Sequence, residues 1–454
     1  MRFCLGAAAA FVALGTFADG VCLKPGETEV VIAGNASKIV RFAADEMTNF
    51  LSRTFGASVP VVTAPTAGRA SIVLGENEWS KAEGIEPSSK PRDTYFIRTA
   101  AGRVFIVGTD SDRASPMNAV YSERGTLHGV YAFLEDYAGC RFYFPGELGE
   151  VVPRRDRIVV PDCDIAVTPS FLIRRYYTRD GRWFEGGERE EKLGKQLNWL
   201  RTRASTINIP CCHGTIKMGL NDRFAKSHPE YFALKSDGSR HTHSTVTGRN
   251  RHGSLCFSSG VRDAVYDYCV EQFTKGVPFV DIMPNDALPM CHCENCAKLI
   301  RLTDTGKGWD GTDLIWGYTK YVAEKLIANG VPGNVTQMAY SQYNRIPDFP
   351  LPTNICVMVA QGGPWSLANP EVRARQYANI RGWAKKVGHP IWIWTYPHKY
   401  GALNIPGLPD VAPRAWGEYY KALDGDIVGT FAESETDKWI YHYLNYYVFS
   451  RVMW

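Results

Sequence analysis

The chain has 454 residues, of which 45% are hydrophobic and 22% charged, and its formal net charge is +4. This length exceeds one ordinary domain and suits a barrel with a smaller domain beside it. The composition is that of a globular protein, and the small positive charge is spread along the chain, so we expect no nucleic-acid partner.

The first twenty residues have the pattern of an export signal. Arg2 precedes an apolar stretch from Leu5 to Leu14, and small residues follow to Gly20. A positive start, a short apolar core and a small-residue cleavage zone are typical of a secretory signal peptide. The apolar run is too short to cross a bilayer comfortably. We therefore expect residues 1–20 to be removed and the mature protein, without a membrane span, to be secreted or periplasmic.

Residues 23–165 predict a small α/β sandwich domain. Strand-like and helical patterns follow one another in the order β-α-β-β-β-α-β. The first helical pattern begins at Ile39, and the second ends near Gly139, because glycine commonly ends a helix. The predicted strands before the second helix are 29–33, 71–75, 95–98 and 103–108.

The rest of the chain, residues 166–454, predicts a (β/α)8 TIM barrel, so the fold class is α/β. Strand-like runs alternate with amphipathic helices such as 261–273 and 314–328, and a helical pattern at 439–454 closes the series. The fifth connection is short for a helix. The eight predicted strands are Phe171–Tyr177, Ser205–Pro210, Ser254–Ser258, Phe279–Asp286, Val335–Tyr340, Ile355–Gln361, Pro390–Tyr396 and Ile427–Glu433.

Carboxylates stand at the exits of the fourth and eighth predicted strands. Asp286 ends the fourth run, and Glu433 and Glu435 end the eighth. A parallel barrel does its chemistry at the C-terminal ends of its strands. We therefore predict Asp286 as a general acid and Glu433 or Glu435 as the residue that activates water. Their separation across a barrel suits an inverting glycosidase, although longer side-chain reach also permits a retaining one. The structural alternative is that these residues cap the helices that follow.

Aromatic and polar residues fill the other predicted exits. Aromatic rings stack on the C–H faces of sugars, and planar polar groups hydrogen-bond to their hydroxyls, although any single aromatic residue is more often part of a core. Arg174 could pair with a sugar carboxylate, which favours a uronic acid substrate. The candidate substrate-binding residues are Asn285, Arg174, His213, Tyr340, Tyr343, Gln361, Trp394, Tyr396 and His398.

Three cysteines, Cys291, Cys293 and Cys296, lie in one short loop after the fourth strand. Three thiols cannot all pair with one another, so a fourth group is implied, and Cys256 is the first candidate. The other candidates are His213 and Cys212. Four such ligands form a closed structural zinc site, which leaves no position for a catalytic metal. A disulfide with a spare thiol is the alternative, and a metal-dependent hydrolase is a further one.

Several motifs resemble the bacterial DUF4838 family. They are His228-Pro229-Glu230-Tyr231-Phe232, Leu255-Cys256-Phe257, Pro284-Asn285-Asp286, Cys291-His292-Cys293-Glu294-Asn295-Cys296 and Glu433-Ser434-Glu435. The first domain, with Gly139-Cys140-Arg141-Phe142-Tyr143-Phe144-Pro145-Gly146 near its end, resembles the α/β domain that precedes the barrel in α-glucuronidases and β-hexosaminidases. The resemblance implies a glycoside-hydrolase-like barrel.

The resemblance also implies roles for the end of strand four. In hexosaminidase-like relatives an acidic pair stands there, in which one residue orients the acetamido group and the other is the general acid. Here Asp286 matches the general acid, and Asn285 replaces the orienting acid. The α-glucuronidase-like route, with water as the nucleophile, fits better. Its usual bases are on strands six and seven, so the role passes here to Glu433 or Glu435.

The sequence therefore predicts an exported glycoside hydrolase that acts on polysaccharide or oligosaccharide, with Asp286 as general acid and an α-glucuronidase-like mechanism. Carbohydrate is the expected partner, and no catalytic cofactor is expected. Two alternatives remain. One is a carbohydrate-binding protein without catalysis, which the lack of carboxylates at strands five to seven favours. The other is a hexosaminidase-like enzyme.

Overall fold

The computed structural model describes residues 20–112, 115–117, 122–178, 188–205, 207–242, 254–286, 288–303, 308–364, 369–396, 411–434 and 442–454. The predicted signal peptide lies outside them except for its last residue. Two compact units divide the chain, one within residues 20–168 and the other within 169–454, to which residues 143–146 also belong. Among the described residues, no helix has both the length and the apolar character that crossing a membrane requires.

The first unit is a mixed sheet covered by helices. Its strands are β1 (Val21–Leu23), β2 (Thr28–Val31), β3 (Val61–Val62), β4 (Ala70–Leu74), β5 (Tyr95–Ala100), β6 (Arg103–Gly108), β7 (Arg141–Phe142), β8 (Glu150–Val151), β9 (Ile158–Val160) and β10 (Asp164–Val167). Its helices are α1 (Lys38–Phe55), α2 (Glu78–Ala82) and α3 (Gly125–Phe133). The main sheet has the order β10-β5-β6-β4-β2-β3, in which β10 and β5 run antiparallel to their neighbours.

Helix α1 shows how the sequence determines this unit. Its first turn is capped by Ser37, whose side chain accepts the N–H of Val40, as serine commonly does at an N-cap. The helix ends at Gly56, which has a left-handed φ of 68°, a conformation that glycine adopts without steric cost. Between these residues the apolar positions recur every three or four residues and are buried against the sheet, among them Met47 and Phe50.

The second unit is built around a parallel sheet. Its strands are β11 (Ile173–Thr178), β12 (Phe279–Asp281), β13 (Arg301–Leu302), β14 (Trp309–Asp310), β15 (Asn334–Ala339), β16 (Ile355–Gln361), β17 (Ile391–Thr395) and β18 (Ile427–Ser434). Its helices are α4 (Glu188–Arg201), α5 (Leu220–Phe224), α6 (Val261–Thr274), α7 (Glu294–Ala297), α8 (Thr312–Ala328), α9 (Pro370–Val387), α10 (Pro413–Lys421) and α11 (Tyr443–Val452). Within the described ranges, the sheet has six strands in the order β11-β18-β17-β16-β15-β12, all parallel.

Alternate side chains of this sheet belong to two apolar cores. The inner cluster comprises Ile173, Ile209, Cys211, Met283, Met338, Met358, Ala360 and Trp392. The outer cluster joins the other face of the strands to the helices, and includes Val265, Trp316, Trp383, Tyr420 and Phe449. Parallel strands buried on both faces are what a β/α barrel requires. The predicted α/β class is confirmed, and the fifth connection is a short 3-10 turn at Ser341–Tyr343.

The predictions for the second and third barrel strands are wrong, because no ladder forms there among the described residues. The segment from Ser205 to Thr215 instead links the two edge strands of the sheet. The Ser205 N–H donates to the carbonyl of Arg174 on β11 (3.2 Å), and the Thr215 N–H donates to the carbonyl of Met283 beyond β12 (3.2 Å). This segment therefore curls the sheet into a barrel-like shape. Residues 254–258 pair with residues 231–233 outside the sheet, through the bridge Phe232↔Leu255.

The fourth strand is shorter than predicted and ends at Asp281. The side chain of Asp281 accepts the N–H groups of Met283 (2.9 Å) and Cys212 (2.6 Å). The ladder cannot continue beyond this point, because the Met283 N–H is bonded to the Asp281 side chain and Pro284 has no N–H to contribute. The residues that follow therefore leave the sheet as a loop.

Gly429 fixes the pairing of β18 with β11. It lies opposite Ile173 and has a φ of 143°, which L side chains rarely adopt. A Cβ atom at this position would lie 2.0 Å from the Ile173 carbonyl oxygen. Only glycine therefore allows the two strands to approach, and this approach sets the position of Glu433 four residues later.

We expect Gly429→Ala to destabilise the protein by at least about 2 kcal/mol, because the methyl group strains the backbone and clashes with the neighbouring strand. Gly317→Ala in α8 is the matched control, since a Cβ there meets no atom within 4 Å. That control should stabilise the helix by about 0.5–1 kcal/mol. Urea unfolding followed by circular dichroism measures both; equal effects would contradict the close approach at Gly429.

Candidate active site

Alternation along β17 and β18 places aromatic and acidic side chains on the inner face of the sheet. Trp392 belongs to the inner cluster, and Trp394 packs against it from two residues further along. On β18, the ring of Phe431 contacts Trp394 edge-on with centroids 4.5 Å apart. Glu433 follows on the same face, and its Oε2 accepts a hydrogen bond from Trp394 Nε1 (2.9 Å). The indole therefore orients this carboxylate.

An arginine completes this side of the site, but it is Arg175 and not the predicted Arg174. Arg174 is 1% exposed, donates to the carbonyl oxygens of Phe171 (2.9 Å) and Arg203 (3.2 Å), and lies over the ring of Trp454. The prediction that Arg174 binds substrate is therefore wrong. Arg175 points to the inner face, where its guanidinium lies 5.5 Å from the Phe431 ring centroid.

Asp286 pairs with His213 at the opposite edge of the sheet. The Asp286 N–H donates to His213 Nδ1 (3.2 Å), and His213 Nε2 lies 3.4 Å from Asp286 Oδ2. A ring nitrogen that accepts carries no proton, so the neutral ring has its proton on Nε2, facing the carboxylate. The side chains of His213 and Asp286 are 31% and 44% exposed. The carboxylate is thus both oriented and accessible.

The loop that carries His213 is held in place by Asp281, which the sequence analysis did not select. Asp281 is 6% exposed, and its burial raises the pKa of the carboxyl group, against the lowering effect of its backbone donors Met283 and Cys212. The adjacent Gly214 has no room for a side chain, because a Cβ there would lie 2.0 Å from the Asp281 carbonyl oxygen. An acidic residue within an otherwise apolar strand was the available signal.

Asn285 is fixed by the same loop. Its Oδ1 accepts a hydrogen bond from Thr215 Oγ1 (3.0 Å), while the N–H of Thr215 donates to the carbonyl of Met283. The Asn285-Asp286 pair is therefore held by a His and a Thr from a single short segment.

Cys212 lies beside Asp281, whose side chain accepts its N–H. Burial, together with the negative charges of Asp281, Asp286 and Glu433, raises the pKa of its thiol to about 12. With a pKa of about 12 the thiol is neutral at neutral pH, which argues against a nucleophilic cysteine.

Two other predicted contacts are not on the accessible inner face. Tyr343 is 1% exposed, and its burial raises the pKa of its hydroxyl well above the usual value. Its prediction as a sugar contact is wrong, because its ring fills the outer core. Gln361 has the strand parity of Val357 and Val359, which also belong to the outer cluster, so alternation turns it away from Trp394.

The remaining aromatic candidates are better placed. Tyr340 is half-buried and packs against the inner cluster. Tyr396 also packs there, and its ring centroid lies 6.3 Å from that of Trp394. His398 and Glu435 lie outside the described residues, so their predicted roles stay predictions.

The four cysteines of the predicted metal or disulfide site come together. Cys256, Cys291, Cys293 and Cys296 have all their sulfur atoms within 4.8 Å of one another, and all are free thiols in the structure. The other candidates for a fourth ligand lie elsewhere: His213 is beside Asp286, and the N–H of Cys212 donates to Asp281. This cluster is the group of described residues suited to a metal ion.

The fold of the chain is similar to that of a solved glycoside hydrolase structure. A family GH115 4-O-methyl-α-glucuronidase with specificity for decorated arabinogalactans matches 96% of this chain with 13% identity and a TM-score of 0.50, and the chain spans 57% of that enzyme. A β-N-acetylhexosaminidase from Bacteroides fragilis matches 96% of this chain and 88% of its own, with 12% identity and a TM-score of 0.47. At these identities the first likeness shows the fold alone.

Sequence comparison assigns the second unit to a family. No curated protein sequence matches the chain. A family described as a domain of unknown function, DUF4838, matches residues 144–454, which comprise the parallel sheet, the carboxylates and the cysteine cluster. The chain therefore belongs to the DUF4838 family.

Proposed function

We propose that this protein is a glycoside hydrolase in which Asp286 protonates the leaving oxygen and Glu433 activates water. The observation that carries the proposal is the placement of Glu433, which is held by Trp394 on the inner face of a barrel-like parallel sheet. In such folds the reacting groups stand at the C-terminal ends of the strands, and both carboxylates are there.

Each carboxylate has the surroundings that its role needs. A base must keep one orientation, and the indole bond to Oε2 supplies that orientation for Glu433. A general acid must reach the glycosidic oxygen, and Asp286 combines a 44% exposed side chain with a fixed neighbour in His213. His213 is a positioning residue in this scheme. Attack by the activated water inverts the anomeric centre.

The substrate class follows from the charge and the rings on the inner face. Trp394, Phe431 and Tyr396 present aromatic surface beside Glu433, and Arg175 supplies a cation next to them. A guanidinium binds a carboxylate through paired hydrogen bonds. We therefore propose a uronic acid at the reacting subsite, as in the GH115 enzyme of similar fold.

A carbohydrate-binding protein without catalysis is the second candidate. It is favoured by the exits of β15, β16 and β17, where the described residues contribute tyrosine and glutamine but no carboxylate. Calorimetry on a panel of oligosaccharides, together with product analysis, distinguishes the two: tight binding with no product under any condition supports this candidate and overturns hydrolysis.

We expect Asp286→Asn to lower kcat on aryl glycosides about 10²- to 10⁴-fold, because the proton donor is lost. The loss should be much smaller with a dinitrophenyl leaving group, which departs without protonation. Thermal unfolding should not change, since the side chain is half exposed and asparagine has the same shape.

Glu324→Gln is the control for removing a negative charge, because Glu324 is an exposed helix residue paired only with Lys320 among the ion pairs described. It should retain full activity. An Asp286→Asn protein that is as active as this control would remove Asp286 from the mechanism.

We expect Trp394→Phe to lower kcat about 10- to 100-fold with a smaller change in KM, since a hydrogen bond to a charged group contributes about 1.5–3 kcal/mol. An aromatic ring is retained for stacking, although the phenyl ring is smaller than the indole. Trp392→Phe is the matched control, because the buried Nε1 of Trp392 has no hydrogen-bond partner among the described residues. Equal losses in the two variants would show that packing, not the bond to Glu433, is responsible.

We expect Arg175→Gln to raise KM for aryl uronides at least about 10-fold, because the paired hydrogen bonds to the carboxylate are lost. Neutral aryl hexosides serve as the internal control, since they carry no group for the guanidinium. Steady-state kinetics on both substrates measure the difference; a parallel change for both would contradict the uronic acid proposal.

A further inference from the structure

We propose that Cys256, Cys291, Cys293 and Cys296 bind one zinc ion as a structural site. The proposal concerns the cysteine cluster alone and does not depend on the proposed hydrolase activity. It rests on sulfur geometry, on donors to the sulfurs, and on the segments that the cluster joins.

The three sulfur separations measured from Cys256 match the edges of a tetrahedron around zinc. Cys256 Sγ lies 3.6 Å from the sulfur of Cys293, 3.7 Å from that of Cys296 and 3.8 Å from that of Cys291. With Zn–S bonds of about 2.3 Å, the edges of a ZnS4 tetrahedron are about 3.8 Å. A disulfide would instead bring one pair to about 2.05 Å and leave the others outside that bond. One sulfur nearly equidistant from three others fits a shared central ion.

The surroundings of the sulfurs suit thiolates. The Leu234 N–H donates to Cys291 Sγ (3.3 Å), and the Cys296 N–H donates to Cys293 Sγ (3.4 Å). The hydroxyl of Ser258 lies 3.0 Å from Cys296 Sγ. Such donors around the ligands spread the negative charge of a zinc–thiolate centre and orient its sulfurs.

Burial makes the site closed. Cys256, Cys291 and Cys296 are 2%, 4% and 0% exposed, and only Cys293 is half-buried. Four thiolates occupy every position of tetrahedral zinc, so neither water nor substrate has a place on the metal. The geometry therefore points to a structural role.

The cluster joins three segments that otherwise have little regular structure. Residues 231–234 and 254–258 meet through one isolated bridge, Phe232↔Leu255. The loop with three of the cysteines is tied to them by the N–H of His292, which donates to the carbonyl of Leu234 (2.9 Å). Helix α7 has only four residues, and its N-cap is Cys293 itself. These segments also contribute Phe232, Leu255 and Phe257 to the outer cluster, and a metal would add a direct cross-link between them.

The position of the cluster gives it a second consequence. Cys291 is five residues beyond Asp286 in the chain. The ion would therefore hold the chain just after Asp286, while Asp281 at the end of β12 holds it just before. The zinc site is thus a positioning device for the exit of β12.

Elemental analysis of the full-length protein, purified without chelator from cells supplied with zinc, tests the proposal. We expect about one zinc per chain, and Cys256→Ser and Cys296→Ser should each remove most of it. Cys356→Ser is the matched control, because Cys356 is a half-buried cysteine on β16 outside the cluster, and it should keep the full zinc content. Absence of zinc in the unmodified protein overturns the proposal.

Thiol counting keeps the test decisive if the cluster variants fail to fold. Unmodified protein, denatured with chelator and no reductant, should react with iodoacetamide at all four cluster cysteines. Peptide mass spectrometry that finds two of them in a disulfide overturns the proposal.

We expect chelation of the metal to lower the thermal midpoint of the unmodified protein by several degrees, since the ion cross-links only the folded state. Any glycosidase activity should fall together with stability and return with added zinc. Loss of activity at an unchanged midpoint would overturn the structural role and favour a catalytic metal, whereas a zinc-bound protein without glycosidase activity overturns only the proposed function.

Discussion

The candidate active site depends on the two backbone N–H groups that donate to the buried carboxylate of Asp281. This carboxylate ends β12 by accepting the N–H of Met283, and it holds the segment around Cys212 by accepting the N–H of that residue. A buried carboxylate is costly unless it is hydrogen-bonded. The segment that contains Cys212 is therefore held where its N–H reaches the Asp281 side chain. His213 is the next residue, which is why it lies beside Asp286.

This arrangement explains how a parallel sheet with six described strands can still form a site of the barrel type. Side-chain and single backbone hydrogen bonds replace the two strands, and so the three ladders, that were predicted between β11 and β12. They satisfy fewer backbone groups than a strand would. The segment that leads from Thr215 to β12 therefore needs additional interactions to hold it in place. The bridge between Phe232 and Leu255 lies in that segment together with Cys256, and the proposed zinc site would tie Cys256 to the three cysteines that follow β12.

The sequence was sufficient to predict elements with a clear local periodicity. It was insufficient to predict which segments pair in the sheet and which side chains face its inner side. The long helices and the six strands were recognisable because their apolar residues recur at helical or alternate spacing. Residues 205–210 have a similar apolar character, but their hydrogen bonds go to side chains and edge strands that only the tertiary structure supplies. Arg174 and Arg175 show the same limit: two adjacent arginines have opposite faces, and only the packing of Ile173 inside and Tyr176 outside identifies the inner one.

Within the proposed hydrolase mechanism, Asn285 favours water over a substrate acetamido group as the nucleophile. A residue that orients an acetamido group must accept its N–H, as a carboxylate does. The side-chain oxygen of Asn285 already accepts one hydrogen bond from the Thr215 hydroxyl, and the side-chain NH2 group only donates, so asparagine has one acceptor oxygen where a carboxylate has two. A carboxylate at this position would also place a second charge next to Asp286 and would compete for its proton. The amide leaves Asp286 as the single acidic residue of the pair, as the proposed mechanism with a separate base at Glu433 requires.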